Sequence, residues 1–257
     1  MKNYISLILG LFLFSNGTFA QLKAVKYKDG NQILNGFKIL PSKKKNANPG
    51  ILILPAWKGI DKVSKDIATD LAHLGYHAFI ADIYGEGNYP KNNSEAGQKA
   101  GYYKTNYKDY QNRITLALKQ LITAGADPDN IVVIGYCFGG TGALEAARGH
   151  LNVKGVVSFH GGLARDASRP IEPITAKVLV CHGADDPYES KEEIAAFQQE
   201  MRDTKADWQM IYYANAVHSF TNPESGNDNS KGAAYNPTAA KRAFEHLKLF
   251  LNEVLRK

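Results

Sequence analysis

A cysteine framed by glycines, in Gly135-Tyr136-Cys137-Phe138-Gly139-Gly140, is the residue of this chain best placed to act as a nucleophile. The β-branched run Ile131-Val132-Val133-Ile134 before it suits a buried parallel strand. The small residues over 141–148 suit the start of a helix. A nucleophile on so sharp a strand-to-helix turn has a strained backbone, and side chains two positions to either side would collide with neighbouring elements. The helix that follows aims free N–H groups and the positive end of its dipole at the sulfur, which favours the thiolate.

A nucleophilic cysteine needs a base, and the base needs a group to orient it. Where such a turn lies in a parallel sheet, the chain order runs nucleophile, acid, histidine. The acid falls in Cys181-His182-Gly183-Ala184-Asp185-Asp186-Pro187, where the spacing from Gly183 favours Asp186. Asp185 suits a solvated turn or a helix cap. Seven histidines compete for the base. His73 and His77 flank a helix end and a strand start on the wrong edge of the sheet, and His150 and His246 sit in or beside helices. His160 and His182 lie near strand ends on the right side and could line the site. Only His218 follows the last strand, in Ala214-Asn215-Ala216-Val217-His218-Ser219-Phe220, where a loop can carry its imidazole over the cysteine. His160, His182 and Asp185 could also offer ligands to a metal, but no H-x-x-x-H or C-x-x-C spacing supports one, so no metal is expected. No G-x-G-x-x-G follows a strand and no Walker pattern occurs, so no nucleotide cofactor is expected either.

The elements that must position these residues can be read from periodicity. Segments 22–28 and 32–40 alternate around Asp29-Gly30-Asn31 as an N-terminal hairpin. After a polar loop over 41–49, strands at 51–54, 77–83, 131–134, 153–159, 176–181 and 208–213 alternate with helices at 61–74, 107–124, 141–149, 190–203 and 237–255. This alternation implies an α/β fold, a mostly parallel sheet covered by helices on both faces. Ligands of such sheets bind at the carboxyl ends of strands, where the residues above fall. No insertion long enough for a lid domain separates the strands, which implies an open pocket for compact substrates.

The chain has 257 residues, 44% of them hydrophobic and 22% charged, which suits one globular domain over 21–257. Its first twenty residues read as a secretory signal peptide: Lys2, an apolar run over 4–14, and Thr18-Phe19-Ala20 before Gln21. A retained membrane anchor is the alternative; the run is too short for a stable span. Export to the periplasm or beyond is the expectation, with cleavage near Ala20. Losing Lys2 takes the formal charge from +6 to +5. The lysines are scattered apart from Lys43-Lys44-Lys45, so no nucleic-acid site is expected. Cys137 and Cys181 could pair in an oxidising compartment, yet both fall near strand ends in a core that needs no staple.

The chain resembles the dienelactone hydrolase family of the α/β-hydrolase fold over essentially its whole mature length. The resemblance rests on Asp82-Ile83-Tyr84-Gly85-Glu86-Gly87, on the cysteine turn, and on Ser158-Phe159-His160-Gly161-Gly162. It continues in His182-Gly183-Ala184-Asp185-Asp186-Pro187-Tyr188, His218-Ser219-Phe220 and Tyr235-Asn236. It implies a Cys137–His218–Asp186 triad that opens a small ester or lactone through a covalent acyl-enzyme. The oxyanion hole would be formed by the backbone N–H groups of Phe138 and Trp57. Acyl transfer or thioester hydrolysis on the same triad, or a non-catalytic binding protein on the same fold, are the alternatives. Three departures stand out. Ala56 replaces a glutamate that often contacts the family's nucleophile. The two arginines that clamp a substrate carboxylate would fall near Glu86 and Asn222, and neither is an arginine. Lys58, Tyr84, Tyr89, Tyr136 and Tyr188, with His160, could line a different pocket.

Overall fold

The computed structural model describes residues 21–43 and 45–256; the leader at 1–20 lies outside them. Strands β1 (Lys23–Asp29) and β2 (Gln32–Ile39) form the expected hairpin. They are followed by β3 (Gly50–Leu54), α1 (Lys62–His73), β4 (His77–Ile80), α2 (Asn93–Thr105) and α3 (Tyr107–Thr123). Next come β5 (Ile131–Tyr136), α4 (Phe138–Arg148), β6 (Gly155–Phe159) and β7 (Lys177–Gly183). The chain closes with α5 (Lys191–Asp203), β8 (Trp208–Tyr213) and α6 (Pro237–Val254). Eight strands make one sheet in the order β1-β2-β4-β3-β5-β6-β7-β8. Pairing is antiparallel at β1–β2 and β2–β4 and parallel from β4 to β8.

The period of two along each central strand splits the apolar residues between two cores. Leu52, Leu54, Val133, Val156, Val178 and Val180 face the layer of α2, α3, α4 and α5. Ile51, Ile53, Val132, Ile134, Val157, Leu179 and Cys181 face α1 and α6. Burial on both faces explains why these strands read as unbroken apolar runs. It also fixes register, because a one-residue slip would exchange the two cores.

Two boundaries and one whole helix differ most from the sequence reading. The strand from His77 ends at Ile80 rather than 83, because Asp82 draws the chain into a tight loop. Its Oδ1 accepts the amides of Tyr84 (3.1 Å) and Gly85 (2.9 Å), and its Oδ2 accepts the Asn35 amide (2.8 Å) and the Tyr89 hydroxyl (2.7 Å). The helix expected from 141 starts at Phe138, directly after the cysteine. Helix α2 was not read at all. It is capped by the Asn92 side chain on the Glu95 amide and buries only Ala96, Ala100 and Tyr103, so it carries no apolar stripe to detect.

Candidate active site

Cys137 joins β5 to α4 with φ +53° and ψ −117°, a conformation that an L-residue holds only under constraint. Close approach supplies the constraint. A Cβ on Gly135 would overlap the Gly139 carbonyl, and one on Gly139 would overlap the Leu54 carbonyl. Helix α4 therefore starts against the ends of β3 and β5. Aromatic packing locks it there: the Phe138 ring stacks between Tyr110 (4.6 Å) and Tyr84 (5.9 Å), and the Tyr110 hydroxyl donates to the Phe138 carbonyl at 3.0 Å.

The loop after β8 brings His218 to this turn. Backbone pairing fixes the loop: the His218 amide donates to Gly232 O, the Ala234 amide to His218 O, and the Asn236 amide to Phe220 O, at 3.2, 3.0 and 3.0 Å. His218 Nε2 lies 3.1 Å from Cys137 Sγ, and its Nδ1 lies 2.9 Å from Asp186 Oδ2. The other Asp186 oxygen accepts the Tyr188 amide at 3.0 Å, which aims the carboxylate at the imidazole. A carboxylate can only accept, so Nδ1 carries a hydrogen and Nε2 faces the sulfur. Asp185 is exposed, and the geometry selects Asp186.

Electrostatics favour a charged pair. Burial alone pushes the Cys137 thiol up, but the His218 hydrogen bond and charge, the Phe138 amide and the Lys104 charge bring it below its ordinary value. Burial alone pushes the His218 imidazole down, but hydrogen bonds to Asp186 and Cys137 outweigh this and raise it to about 10. Thiolate and imidazolium thus stabilise each other.

The remaining expected site residues divide. Tyr84 is buried, with its hydroxyl donating to the Trp57 carbonyl at 2.7 Å, so it braces the loop that carries Trp57. Tyr89 is held by Asp82. Tyr136 is buried and stacks on Phe159 at 4.6 Å. With His160, Pro55 and Ala56 it lines a cleft of about 20 Å³, room for one water, on the α1 side of the triad. Tyr188 is 58% exposed and sets its ring edge-on to His218 at 5.2 Å. Lys58 is exposed. His182 is buried against Tyr212 rather than joined to the triad, and His246 Nδ1 pairs with the Tyr213 hydroxyl at 2.8 Å. Glu86 is exposed beside Lys26, and Asn222 caps a short 3₁₀ turn at the rim of the same small cleft. Cys137 and Cys181 are both free thiols. Sequence reading missed Lys104, because it sits on the unread α2, and missed Tyr110, whose clamp on Phe138 leaves no local signal.

Sequence and structure comparisons place relatives beside this geometry. The model of the "Dienelactone hydrolase family" matches residues 35–255. A Bradyrhizobium sp protein named "Probable 2-oxo-3-(5-oxofuran-2-ylidene)propanoate lactonase" is 30% identical over 79% of this chain and 83% of its own. The solved structure named "m3DLH" superposes with a TM-score of 0.87 at 31% identity, over 93% of this chain and all (100%) of that one. A dienelactone hydrolase-like promiscuous phosphotriesterase from metagenomic libraries superposes with a TM-score of 0.85 at 33% identity, over 92% and 99%.

Proposed function

Because the chain belongs to the dienelactone hydrolase family, a family of ester and lactone hydrolases, we propose that it cleaves a small carboxylic ester or lactone by covalent catalysis on Cys137. The observation that carries this reading is the unbroken line from Cys137 Sγ to His218 Nε2 (3.1 Å) and from His218 Nδ1 to Asp186 (2.9 Å).

The thiolate attacks the carbonyl carbon, and the C–O π pair moves onto oxygen. Two backbone N–H groups, those of Phe138 and Trp57, receive that oxyanion, each donor being worth about 3–4 kcal/mol of barrier. Collapse expels the alcohol oxygen, which takes the proton from His218 and leaves a thioester. Water then gives a proton to His218 and attacks the thioester carbon. The second collapse releases the acid and restores the thiolate. Asp186 stabilises the imidazolium throughout and holds its tautomer. With neither Glu86 nor Asn222 offering a cation, a clamp of two arginines on a substrate carboxylate is not part of this reading.

The test is a stopped-flow assay with p-nitrophenyl acetate. A burst of nitrophenol equal to the enzyme concentration, lost in Cys137→Ala and His218→Ala, is the expected result. Steady turnover that survives Cys137→Ala would sink the proposal, and a burst with no turnover would point to acyl transfer to another acceptor.

We also propose that the protein is exported. The support is Lys2, the apolar run over 4–14 and the small residues Thr18 and Ala20. N-terminal sequencing of protein from the expressing cells should begin at Gln21. Among the described residues no helix is long and apolar enough to cross a membrane.

A further inference from the structure

We propose that the protein is a two-fold symmetric dimer in which β8 (Trp208–Tyr213) pairs antiparallel with β8 of a second copy about Met210, joining two eight-stranded sheets into one. The inference is independent of the hydrolase reading, since it uses only the free edge of the sheet and the helix beside it.

The sheet ends on β1 at one side and on β8 at the other. An open edge invites pairing with another chain, and proteins blunt it with charge, proline or a bulge. β1 is blunted, with Lys23, Lys26 and Lys28 exposed along it. β8 is not. Trp208-Gln209-Met210-Ile211-Tyr212-Tyr213 holds no charge and no proline, and its register with β7 runs from Val178↔Trp208 to Gly183↔Tyr213 without a bulge. The Val178 amide donates to Asp207 O and the Ala184 amide to Tyr213 O, so the odd-numbered residues turn their backbone groups to β7. The amides and carbonyls of Trp208, Met210 and Tyr212 therefore point outward, and no hydrogen bond among the described residues uses them. Beside this edge, Trp208, Met210 and Ile211 with Leu249 and Glu253 of α6 line an open groove of about 650 Å³. Leu249 is 67% exposed there.

The occupant is a second copy because the strand is complementary to itself. Only outward-facing residues can exchange hydrogen bonds, so a two-fold axis must pass by one of them. Met210 alone lets all three bond: Met210 with the partner's Met210, Trp208 with the partner's Tyr212, and Tyr212 with the partner's Trp208. Side chains directly opposed share a face, so Trp208 meets the partner's Tyr212 as an aromatic pair at each end of the seam. Charge follows the same axis. Glu253 and Asp207 lie at the Trp208 end, both paired with Lys177. His246 lies at the other end, pairing with the Tyr213 hydroxyl at 2.8 Å, and Lys241 and Arg242 are exposed about one turn before it. Glu245 nearby is held by Lys248 at 2.7 Å. The two-fold turns the acidic end of each α6 toward the basic end of its partner's, so unlike charges meet. Leu249, between the two ends, is carried to the seam from both sides.

Light scattering on a sizing column tests the assembly, using the purified chain 21–257 at micromolar concentration. Twice the chain mass is the expected result. Met210→Pro takes away an outward amide and no bond to β7, so it should keep the fold and halve that mass. The register is tested by cross-linking in a Cys137→Ala background. At the axis, Met210→Cys sets its Cα about 5.5 Å from the partner's, within disulfide reach; Gln209→Cys lies out of step with its own copy and beyond that reach. Copper-catalysed oxidation should therefore link most of the Met210→Cys chains into pairs on a non-reducing gel, and few of the Gln209→Cys chains. A monomeric parent protein, which would leave the edge to some other chain, overturns the proposal. So does a dimer that a folded Met210→Pro leaves intact, or Gln209→Cys linking as readily as Met210→Cys. If Met210→Pro does not fold, the cross-link decides: pairs formed by Met210→Cys alone support the seam, and their absence overturns it.

Discussion

His160 presents the edge of its ring to His218, with centroids 5.2 Å apart and planes at 66°. Its Nε2 pairs with Thr221 Oγ1 at 2.7 Å. Burial, and then the charge of His218, hold His160 well below the ordinary imidazole range. The two imidazoles therefore divide the work, one charged beside the sulfur and one neutral behind it. Nitrogen NMR of the two rings should show His218 protonated at pH 7.5 and losing its proton only towards pH 10, with His160 still neutral at pH 6. A His218 that titrates near 6.5 would remove the ion pair. The sign for stability follows. A depressed imidazole contributes fully above about pH 6.5, its unfolded value, and that contribution falls as acid protonates the unfolded chain first. Denaturant unfolding between pH 7 and 5 should show stability declining with acid, and less steeply in His160→Asn.

The thiolate can be read directly. Iodoacetamide labelling of Cys137 should reach half its maximal rate below about pH 8.5, the value of a free thiol. In His218→Asn the lowering partner is gone and burial remains, so the midpoint should move above that value. A midpoint at or above 8.5 in the unmodified protein would contradict the pair.

Two glycines separate fold constraint from helix preference. Gly135→Ala drives a methyl into the Gly139 carbonyl, which is backbone and cannot yield; a loss of about 4 kcal/mol or an insoluble protein is expected. Gly101, exposed in α2, meets nothing within 4 Å, so Gly101→Ala should stabilise by about 0.5–1 kcal/mol. Thermal unfolding of the two variants checks both signs.

Arg148 ties the helix after the nucleophile to its surroundings. It is buried, holds Glu200 through Nε (2.9 Å) and Nη2 (2.7 Å) and Glu145 through Nη1 (3.1 Å), and donates to the Leu163 carbonyl at 2.8 Å. Arg148→Met takes from the buried Glu200 its two short hydrogen bonds and leaves it Arg165 at 3.5 Å, while Glu145 keeps Arg169 at 2.9 Å; a loss of about 3 kcal/mol is expected, read by urea unfolding. It should also loosen the segment that carries Gly162, because Leu163 is shared with Glu189. Arg148→Met with Glu200→Gln should recover part of the loss.

The strands were legible because both faces of the sheet are buried, so Ile51 to Leu54 and Ile131 to Ile134 are apolar without interruption. Helices α1 and α6 were legible through their amphipathic spacing. Helix α2 was not, since Ala96, Ala100 and Tyr103 are all it buries. The tyrosines take different places. Tyr84 and Tyr89 brace loops through their hydroxyls, while Tyr136 stacks on Phe159 and lines the small cleft beside the triad. A hydroxyl committed to a carbonyl 27 residues away leaves no mark in local sequence.

The amino-acid order alone established the layered α/β architecture and the cysteine turn, because apolar periodicity and glycines beside a nucleophile are local consequences of burial and of close backbone approach. It narrowed the acid to Asp185 or Asp186 and the base to one loop histidine. Folding decided the rest: which carboxylate meets His218 Nδ1, and that His160 stays neutral behind it. Each of those is a relation of a few ångströms between residues far apart in the chain. Such distances are set by packing, which spacing along a sequence does not encode.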